Sequence, residues 1–248
     1  MQDGRVELAV PGTDHRLGLV RHGHWGRPVL VFPSEGGRAE DFAERGMLGP
    51  VQGLIDAGRV SFFCVDSLDA LTWSDGSLSL EERARRHGAY HAWLEQAAVP
   101  WVFDQLGGRH DLITLGASMG AYHAVHFAFQ RADLAPLAIG LSGNYDVGQW
   151  HAWGERGQEA YFANPIDYVA HLHGEHLDWL RSRLSVLLVC GQGAWATHPT
   201  GALPSTLRFG ELLQDKGITH QVDVWGGDSA HDWPWWQRQL GHHLPRFV

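Results

Sequence analysis

Short apolar runs recur along this 248-residue chain, and they lack the alternation of apolar and polar positions that marks a half-exposed strand. Runs of this kind suit strands that are buried on both faces of a parallel sheet. Six of them predict strands: Pro28–Phe32, Val60–Val65, Asp111–Leu115, Ala135–Leu141, Ser185–Cys190 and His220–Val224. Two alternating segments, Arg5–Val10 and Arg16–Val20, flank turn residues and predict an antiparallel hairpin at one edge of the sheet.

Helical segments are predicted between these strands, at Leu48–Ala57, Leu80–Gln105, Met119–Gln130, Thr206–Lys216 and Trp233–Leu244. Alternating strands and helices predict an α/β fold in which helices cover both faces of a mostly parallel central sheet. Because no repeat, low-complexity tract or linker interrupts the chain, we expect a single domain over residues 1–248.

One stretch, at about residues 143–180, breaks the alternation of strands and helices. It is rich in aromatic, histidine and glycine residues and shows no clean period. Since long insertions in compact domains are usually functional, we expect a small cap over the active end of the sheet. A long irregular connection is the alternative.

The composition narrows the class of protein. With 44% hydrophobic and 19% charged residues it is that of a globular chain, and a net charge of −9 without any Lys/Arg cluster argues against nucleic acid or an anionic membrane as partner. No apolar stretch approaches the roughly 18 residues of a membrane span. A cytoplasmic protein is therefore expected. Cys64 and Cys190, each in an apolar run, are expected to be buried free thiols. The sequence does not indicate the oligomeric state.

The first indication of a catalytic function is the segment Gly116-Ala117-Ser118-Met119-Gly120. It follows an apolar run and precedes a helical segment. A Gly-x-Ser-x-Gly in this context predicts a nucleophile elbow, where the serine occupies a strained turn and its neighbours two residues away must be small. The motif predicts Ser118 as a nucleophile, with developing negative charge stabilised at the helix N-terminus. A serine that caps an ordinary turn is the alternative.

A serine hydroxyl needs a general base, and in proteins with this motif a histidine follows the last strand, after the acid in chain order. His231 follows the last predicted strand and opens the last helix, so it is the predicted base. His220, His242 and His243 are expected to lie on the surface.

Five segments together resemble the putative-esterase family of α/β-hydrolases, which includes esterase D-like enzymes, enterochelin esterase-like proteins and mycolyltransferases. They are residues 33–37, 116–120, 164–168, 191–195 and 231–236. The resemblance implies an α/β-hydrolase fold and hydrolysis of a small-molecule carboxylic ester through an acyl-serine intermediate, without a cofactor. An acyltransferase that uses the same intermediate and a catalytically silent, hydrolase-fold binding protein are the alternatives.

The oxyanion hole is expected to have two backbone N–H donors. One is that of Met119, the residue after the nucleophile. The resemblance places the second, from the loop after the strand 28–32, on Glu35 or Ser34.

The acid is where this chain departs from the family. Relatives carry a carboxylate in the loop that begins at Gly191, but residues 194–199 contain none, and Ala196 stands where glutamate is expected. Asp146, after the preceding strand, keeps the order serine, acid, histidine and is the predicted substitute. A serine–histidine dyad and a histidine held by water remain alternatives. Asp228 is too close in sequence to His231, and Asp232 is expected to cap the helix.

The tryptophans divide into two predicted groups. Trp150, Trp153 and Trp195 are candidates for lining the acyl or alcohol pocket, with core packing as the alternative. The tryptophans of segment 233–236 are expected to pack the last helix behind His231.

The remaining histidines suggest no metal centre. His87 and His91 stand at i, i+4, a spacing that can bind zinc, but no carboxylate falls at a matching spacing, so solvated helix faces are expected. His123 and His126 are expected on the less buried side of their helix.

Overall fold

In the computed structural model, which describes residues 4–150 and 152–248, eight strands form one sheet. They are β1 (Arg5–Ala9), β2 (Arg16–His22), β3 (Arg27–Phe32), β4 (Val60–Val65), β5 (Ile113–Ala117), β6 (Leu137–Leu141), β7 (Ser185–Cys190) and β8 (Thr219–Val224). The spatial order is β1-β2-β4-β3-β5-β6-β7-β8. Strand β2 pairs antiparallel with β1 and with β4, and the other pairings are parallel. The predicted α/β fold with an edge hairpin is confirmed.

The helices of the described chain run between these strands and, in the case of the last one, after β8. They are α1 (Asp41–Glu44), α2 (Gln52–Asp56), α3 (Leu80–Trp93), α4 (Val99–Leu106), α5 (Met119–Gln130), α6 (Gln158–Ala163), α7 (Pro165–Ala170), α8 (Gly174–Arg183), α9 (Ala202–Asp215) and α10 (Trp233–His243). A π-helical segment, Leu94–Ala98, joins α3 to α4. The long helix predicted over residues 80–105 is therefore present as a continuous helical stretch that contains a π-helical turn. No helix of the described residues is long and apolar enough to cross a membrane.

Two apolar clusters cover the two faces of the sheet. In β3, Leu30 and Phe32 belong to one cluster, whereas Val29 and Val31 belong to the other, and all four are buried. Helices cover both faces, which is why the strand shows no alternation of apolar and polar residues. Cys64 and Cys190 are buried free thiols, as expected.

The segment between β6 and β7 is largely helical. A 3₁₀ turn at Val147–Gln149 leads into α6 and α7, and α8 returns the chain to β7. Helix α6 packs against α3, and α7 against α9. The role of this segment as a cap stays a prediction.

Candidate active site

Ser118 occupies a sharp turn between β5 and α5. Its backbone has φ 57° and ψ −122°, a strained conformation for a residue with a side chain. A Cβ atom on Gly116 would lie 2.1 Å from the carbonyl oxygen of Gly120, and one on Gly120 would lie 2.4 Å from that of Phe32. The turn therefore requires glycine on both sides of Ser118.

His231 faces this serine. Its Nε2 lies 3.0 Å from the Ser118 Oγ, a hydrogen-bond distance. The ring packs edge-on against Trp236, with centroids 5.0 Å apart, and the Trp236 Nε1–H donates to Ser142 Oγ at 3.1 Å. Trp236 thus lies behind His231, as predicted, and fixes the plane of its ring.

Burial lowers the pKa of His231 from its ordinary value to about 4, because the charged imidazolium loses solvation. The neighbouring carboxylate of Asp232 opposes this change in pKa. Asp232 itself caps α10, as expected, by accepting a hydrogen bond from the Trp235 N–H. At neutral pH the His231 imidazole is therefore uncharged and able to accept a proton.

The second ring nitrogen of His231, Nδ1, is buried and has no hydrogen-bond partner among the described residues. The predicted partner, Asp146, lies elsewhere. Its carboxylate accepts hydrogen bonds from the Gly148 N–H at 3.2 Å, the Gln149 side chain at 2.9 Å and the Asn164 side chain at 3.0 Å. The prediction that Asp146 orients His231 is corrected, because this carboxylate caps the turn after β6 instead.

Glu35 and Ser34, the two residues expected to carry the second oxyanion donor, lie in different surroundings. Glu35 lines the same cavity as Ser118 and Met119. Ser34 instead borders a small apolar cavity that it shares with Phe32. Of these two residues, Glu35 is the one that lines the cavity with Ser118, and the role of its N–H as a donor stays a prediction.

Sequence reasoning missed the residue that anchors this loop. The buried carboxylate of Asp69 accepts the Gly36 N–H at 3.0 Å, and its other oxygen lies 2.9 Å from His123 Nε2. Asp69 belongs to a short 3₁₀ turn after β4, where one aspartate in a polar connection carries no recognisable signal. The pair of Asp69 and His123 holds the loop after β3 in place.

A cavity of about 410 Å³ opens over Ser118 and His231. Of the three tryptophans expected at the substrate pocket, Trp150 lines this cavity, whereas Trp153 and Trp195 do not and are 52% and 66% exposed. Trp73 forms the other aromatic wall and was not predicted. The remaining lining residues are Ser74, Gly76, Arg83, Ser142, Asn144, Gln149, Pro199 and Thr200, together with Glu35 and Met119.

Three histidines of α3 and α5, His87, His123 and His126, are buried rather than solvated, and His91 is half-buried. One ring nitrogen from each of His87, His91 and His126 lies within 4.8 Å of the others, and His87 Nε2 lies 3.3 Å from His123 Nδ1. Burial lowers the pKa of His87, His91 and His126, which keeps these three imidazoles neutral. Three neutral imidazoles are a donor set that could hold a divalent cation. The expectation of exposed helix faces is wrong because α3 and α5 turn these side chains towards each other.

His243 is also buried, contrary to its expected surface position. Its Nε2 lies 2.9 Å from an oxygen of Asp223 on β8. Trp236 and Leu240 of α10 belong to the apolar cluster on one face of the sheet. The His243 ring is therefore part of the packing of the last helix.

Solved structures share this fold at low sequence identity. A ferulic acid esterase matches with a TM-score of 0.74 at 15% identity, over 98% of this chain and 96% of the other. An S-formylglutathione hydrolase from Staphylococcus aureus matches with 0.67 at 16%, over 98% and 94%. MPT51 from Mycobacterium tuberculosis matches with 0.69 at 16%, over 98% and 97%. Among curated proteins, no sequence matches this chain significantly.

The sequence itself matches a family model. The model is described as putative esterase and matches residues 72–247, a segment that includes Ser118, His231 and most of the cavity. The matched segment spans more than half of the chain, and the sheet and helices are those of an α/β-hydrolase. The chain therefore belongs to the putative-esterase family.

Proposed function

We propose that this protein hydrolyses carboxylic esters with Ser118 as nucleophile and His231 as general base. The observation that carries the proposal is the 3.0 Å distance between His231 Nε2 and Ser118 Oγ in the cavity. A neutral imidazole at this distance can take the serine proton as the oxygen attacks the ester carbonyl. The strained turn of Ser118 supports the proposal, since a strained strand-to-helix turn is the conformation expected of a nucleophile elbow.

The attack produces a tetrahedral intermediate whose oxygen carries the negative charge. Met119 is the first residue of α5, where backbone N–H groups point out of the helix without intrahelical partners. The Met119 N–H and the Glu35 N–H are the proposed donors to this oxygen. The Asp69–Gly36 hydrogen bond supports this role, since it fixes the loop that carries Glu35.

Collapse of the intermediate breaks the bond to the alcohol. The His231 imidazolium gives its proton to the departing alkoxide, and the acyl group remains on Ser118. Water, deprotonated by the same imidazole, then attacks the acyl-enzyme and releases the acid. No carboxylate of the described chain bonds His231 Nδ1, so the proposed mechanism is that of a serine–histidine dyad.

Labelling with a fluorophosphonate probe tests the nucleophile. Wild type is expected to be labelled and Ser118→Ala to remain unlabelled. Ser74→Ala is the matched control, because Ser74 lines the same cavity but its hydroxyl bonds Glu35 rather than a histidine. Equal labelling of wild type and Ser118→Ala would exclude the proposed nucleophile.

The missing acid favours one second candidate, a hydrolase-fold protein that binds a ligand without turning it over. Removing the carboxylate from a triad lowers kcat by about four orders of magnitude. Turnover of short p-nitrophenyl esters that disappears in His231→Ala would exclude this candidate. Absence of turnover, together with retained ligand binding, would favour it over the esterase.

A further inference from the structure

Arg83 is a buried arginine that has no acidic partner among the described residues. It lies on α3 and is 3% exposed. Its Nε–H donates to the Leu78 carbonyl at 3.0 Å, and its Nη1 donates to the carbonyls of Trp73 and Trp150, both at 3.3 Å. In the described part of the chain Nη2 makes no hydrogen bond, and no carboxylate oxygen lies within 4.0 Å of the guanidinium.

An unpaired buried charge is costly, and arginine cannot lose its proton to avoid that cost. Other arginines of the same helix are paired: Arg85 and Arg86 both bond the carboxylate of Glu82 at the surface. The charge of Arg83 reaches Asp75, whose pKa it helps to lower, but that exposed carboxylate bonds Ser77 instead. Within the described chain, the positive charge of Arg83 is therefore not compensated by a bonded carboxylate.

The uncompensated charge faces the cavity over Ser118. Arg83 lines this cavity together with Trp73 and Trp150, whose rings meet edge-to-face with centroids 5.6 Å apart. The same two tryptophans hold the guanidinium through their backbone carbonyls. The other ionisable side chains along the cavity are Glu35, which is exposed and bonds Ser74, and His231, which is neutral.

We propose that Arg83 binds a carboxylate carried by the substrate, so that the preferred substrates are esters with a free carboxylate on the acyl or the alcohol side. The inference rests on the proposed esterase function and names its substrate class. A substrate carboxylate would accept a hydrogen bond from Nη2 of Arg83, and its negative charge would balance that of the guanidinium. The aromatic walls would cover the apolar part of the same molecule.

Two pairs of esters test the preference and locate the charge. On the acyl side, 4-nitrophenyl hemiglutarate is compared with 4-nitrophenyl pentanoate. On the alcohol side, 4-acetoxybenzoate is compared with 4-acetoxybenzamide. Wild type is expected to favour the anionic ester of at least one pair by about 10- to 100-fold in kcat/KM, the range of a hydrogen bond to a charged group. Preference for the neutral ester in both pairs would overturn the proposal.

Substitution of Arg83 tests whether this arginine causes the preference for anionic esters. In Arg83→Gln the ratio of anionic to neutral kcat/KM is expected to fall towards one, whereas Arg85→Gln, on the exposed side of the same helix, keeps the wild-type ratio. An unchanged ratio in a folded Arg83→Gln protein would show that the guanidinium only supports the backbone, and would overturn the proposal.

A binding measurement separates this proposal from the esterase function. Ser118→Ala is titrated with monoethyl glutarate and with diethyl glutarate, which differ in the free carboxylate. Tighter binding of the monoester is expected, and its loss in the double variant with Arg83→Gln assigns the contact. Equal binding of the two esters would overturn the role of Arg83 whether or not the protein proves to be an esterase.

Discussion

His231 meets Ser118 through one ring nitrogen only: Nε2 lies 3.0 Å from the serine oxygen, while Nδ1 is buried without a hydrogen-bond partner in the described chain. In a Ser-His-Asp triad the second nitrogen donates to a carboxylate, which fixes the tautomer and stabilises the imidazolium. Here no carboxylate of the described residues bonds Nδ1, and the nearby charge of Asp232 only partly offsets the effect of burial. The basicity of His231 is consequently set by burial, which makes it a weak base that is neutral over a wide pH range.

The pH dependence of kcat/KM should report this environment. A general base works in its neutral form, and the pKa of His231 is lowered to about 4, so activity should stay level down to about pH 4 and fall tenfold per pH unit below it. The protein is kept at pH 7 and mixed rapidly with acidic buffer and a neutral ester, so that initial rates precede any unfolding. An acidic limb near pH 6.5, the ordinary value for histidine, would contradict the assigned environment.

Ala196 is the position at which the resemblance to the family places a carboxylate. It is buried in the loop after β7, and this loop bonds the histidine segment through the His231 N–H and the Ala194 carbonyl at 2.9 Å. In Ala196→Glu we expect kcat/KM to rise by about tenfold or more, because a carboxylate at Nδ1 stabilises the imidazolium. The acidic limb of the pH profile should move upwards at the same time.

The control for this substitution is Ala196→Gln, which adds the same bulk without the charge. It should leave the acidic limb at about pH 4. Thermal unfolding of both variants shows whether the larger side chain is accommodated. Identical pH profiles for the glutamate and glutamine variants would show that the carboxylate does not reach His231.

The features that could be predicted from the sequence are those that local sterics and chain order determine. Apolar runs without alternating polar residues predicted strands that are covered on both faces. Val29 and Leu30 are an example, because their side chains belong to the clusters on opposite faces of the sheet. Ser118 was identifiable because only glycine fits at positions 116 and 120. His231 followed from its place after the last strand.

The features that were missed depend on how helices dock. Helix α3 was predicted, but whether Arg83 faces solvent or the cavity is decided by its contacts with the Trp73 and Trp150 carbonyls. Likewise, His87 and His91 share one helix face by periodicity, but only the packing of α5 against that face buries His87 and partly covers His91. Trp153 and Trp195 lie in irregular segments, where no period indicates the direction of a side chain.

The steric argument for the turn at Ser118 makes a prediction about stability. In Gly120→Ala the added methyl group would lie 2.4 Å from the carbonyl oxygens of Phe32 and Pro33, so the strand or the helix has to move. We expect a loss of several kcal/mol in the free energy of unfolding, measured with urea. Gly88→Ala is the control, since Gly88 is exposed in α3 with open space around it, and should gain about 0.5–1 kcal/mol. Wild-type stability in Gly120→Ala would contradict this account of the turn.

The buried imidazoles also link folding to pH. Burial lowers the pKa of His91 to about 3 and that of His87 and His126 in the same direction, whereas in the unfolded chain these groups titrate near 6.5. Above that value both states are neutral and stability does not depend on these groups. Below it the unfolded chain takes up protons that the folded chain does not, so stability is lost as the pH falls from about 6.5 towards 3.

Each such histidine contributes up to about 1.4 kcal/mol of lost stability per pH unit in this window. His91→Gln removes one titrating group. Between pH 6.5 and 4.5 its free energy of unfolding should therefore fall less steeply than that of wild type, and the difference in slope should correspond to about one proton. Urea unfolding is followed at several pH values with a chelator present, so that no bound cation keeps the imidazoles neutral. His110→Gln, which removes an exposed histidine, should keep the wild-type slope. Parallel pH dependences for wild type and His91→Gln would mean that the His91 ring is protonated in the folded protein as readily as in the unfolded chain.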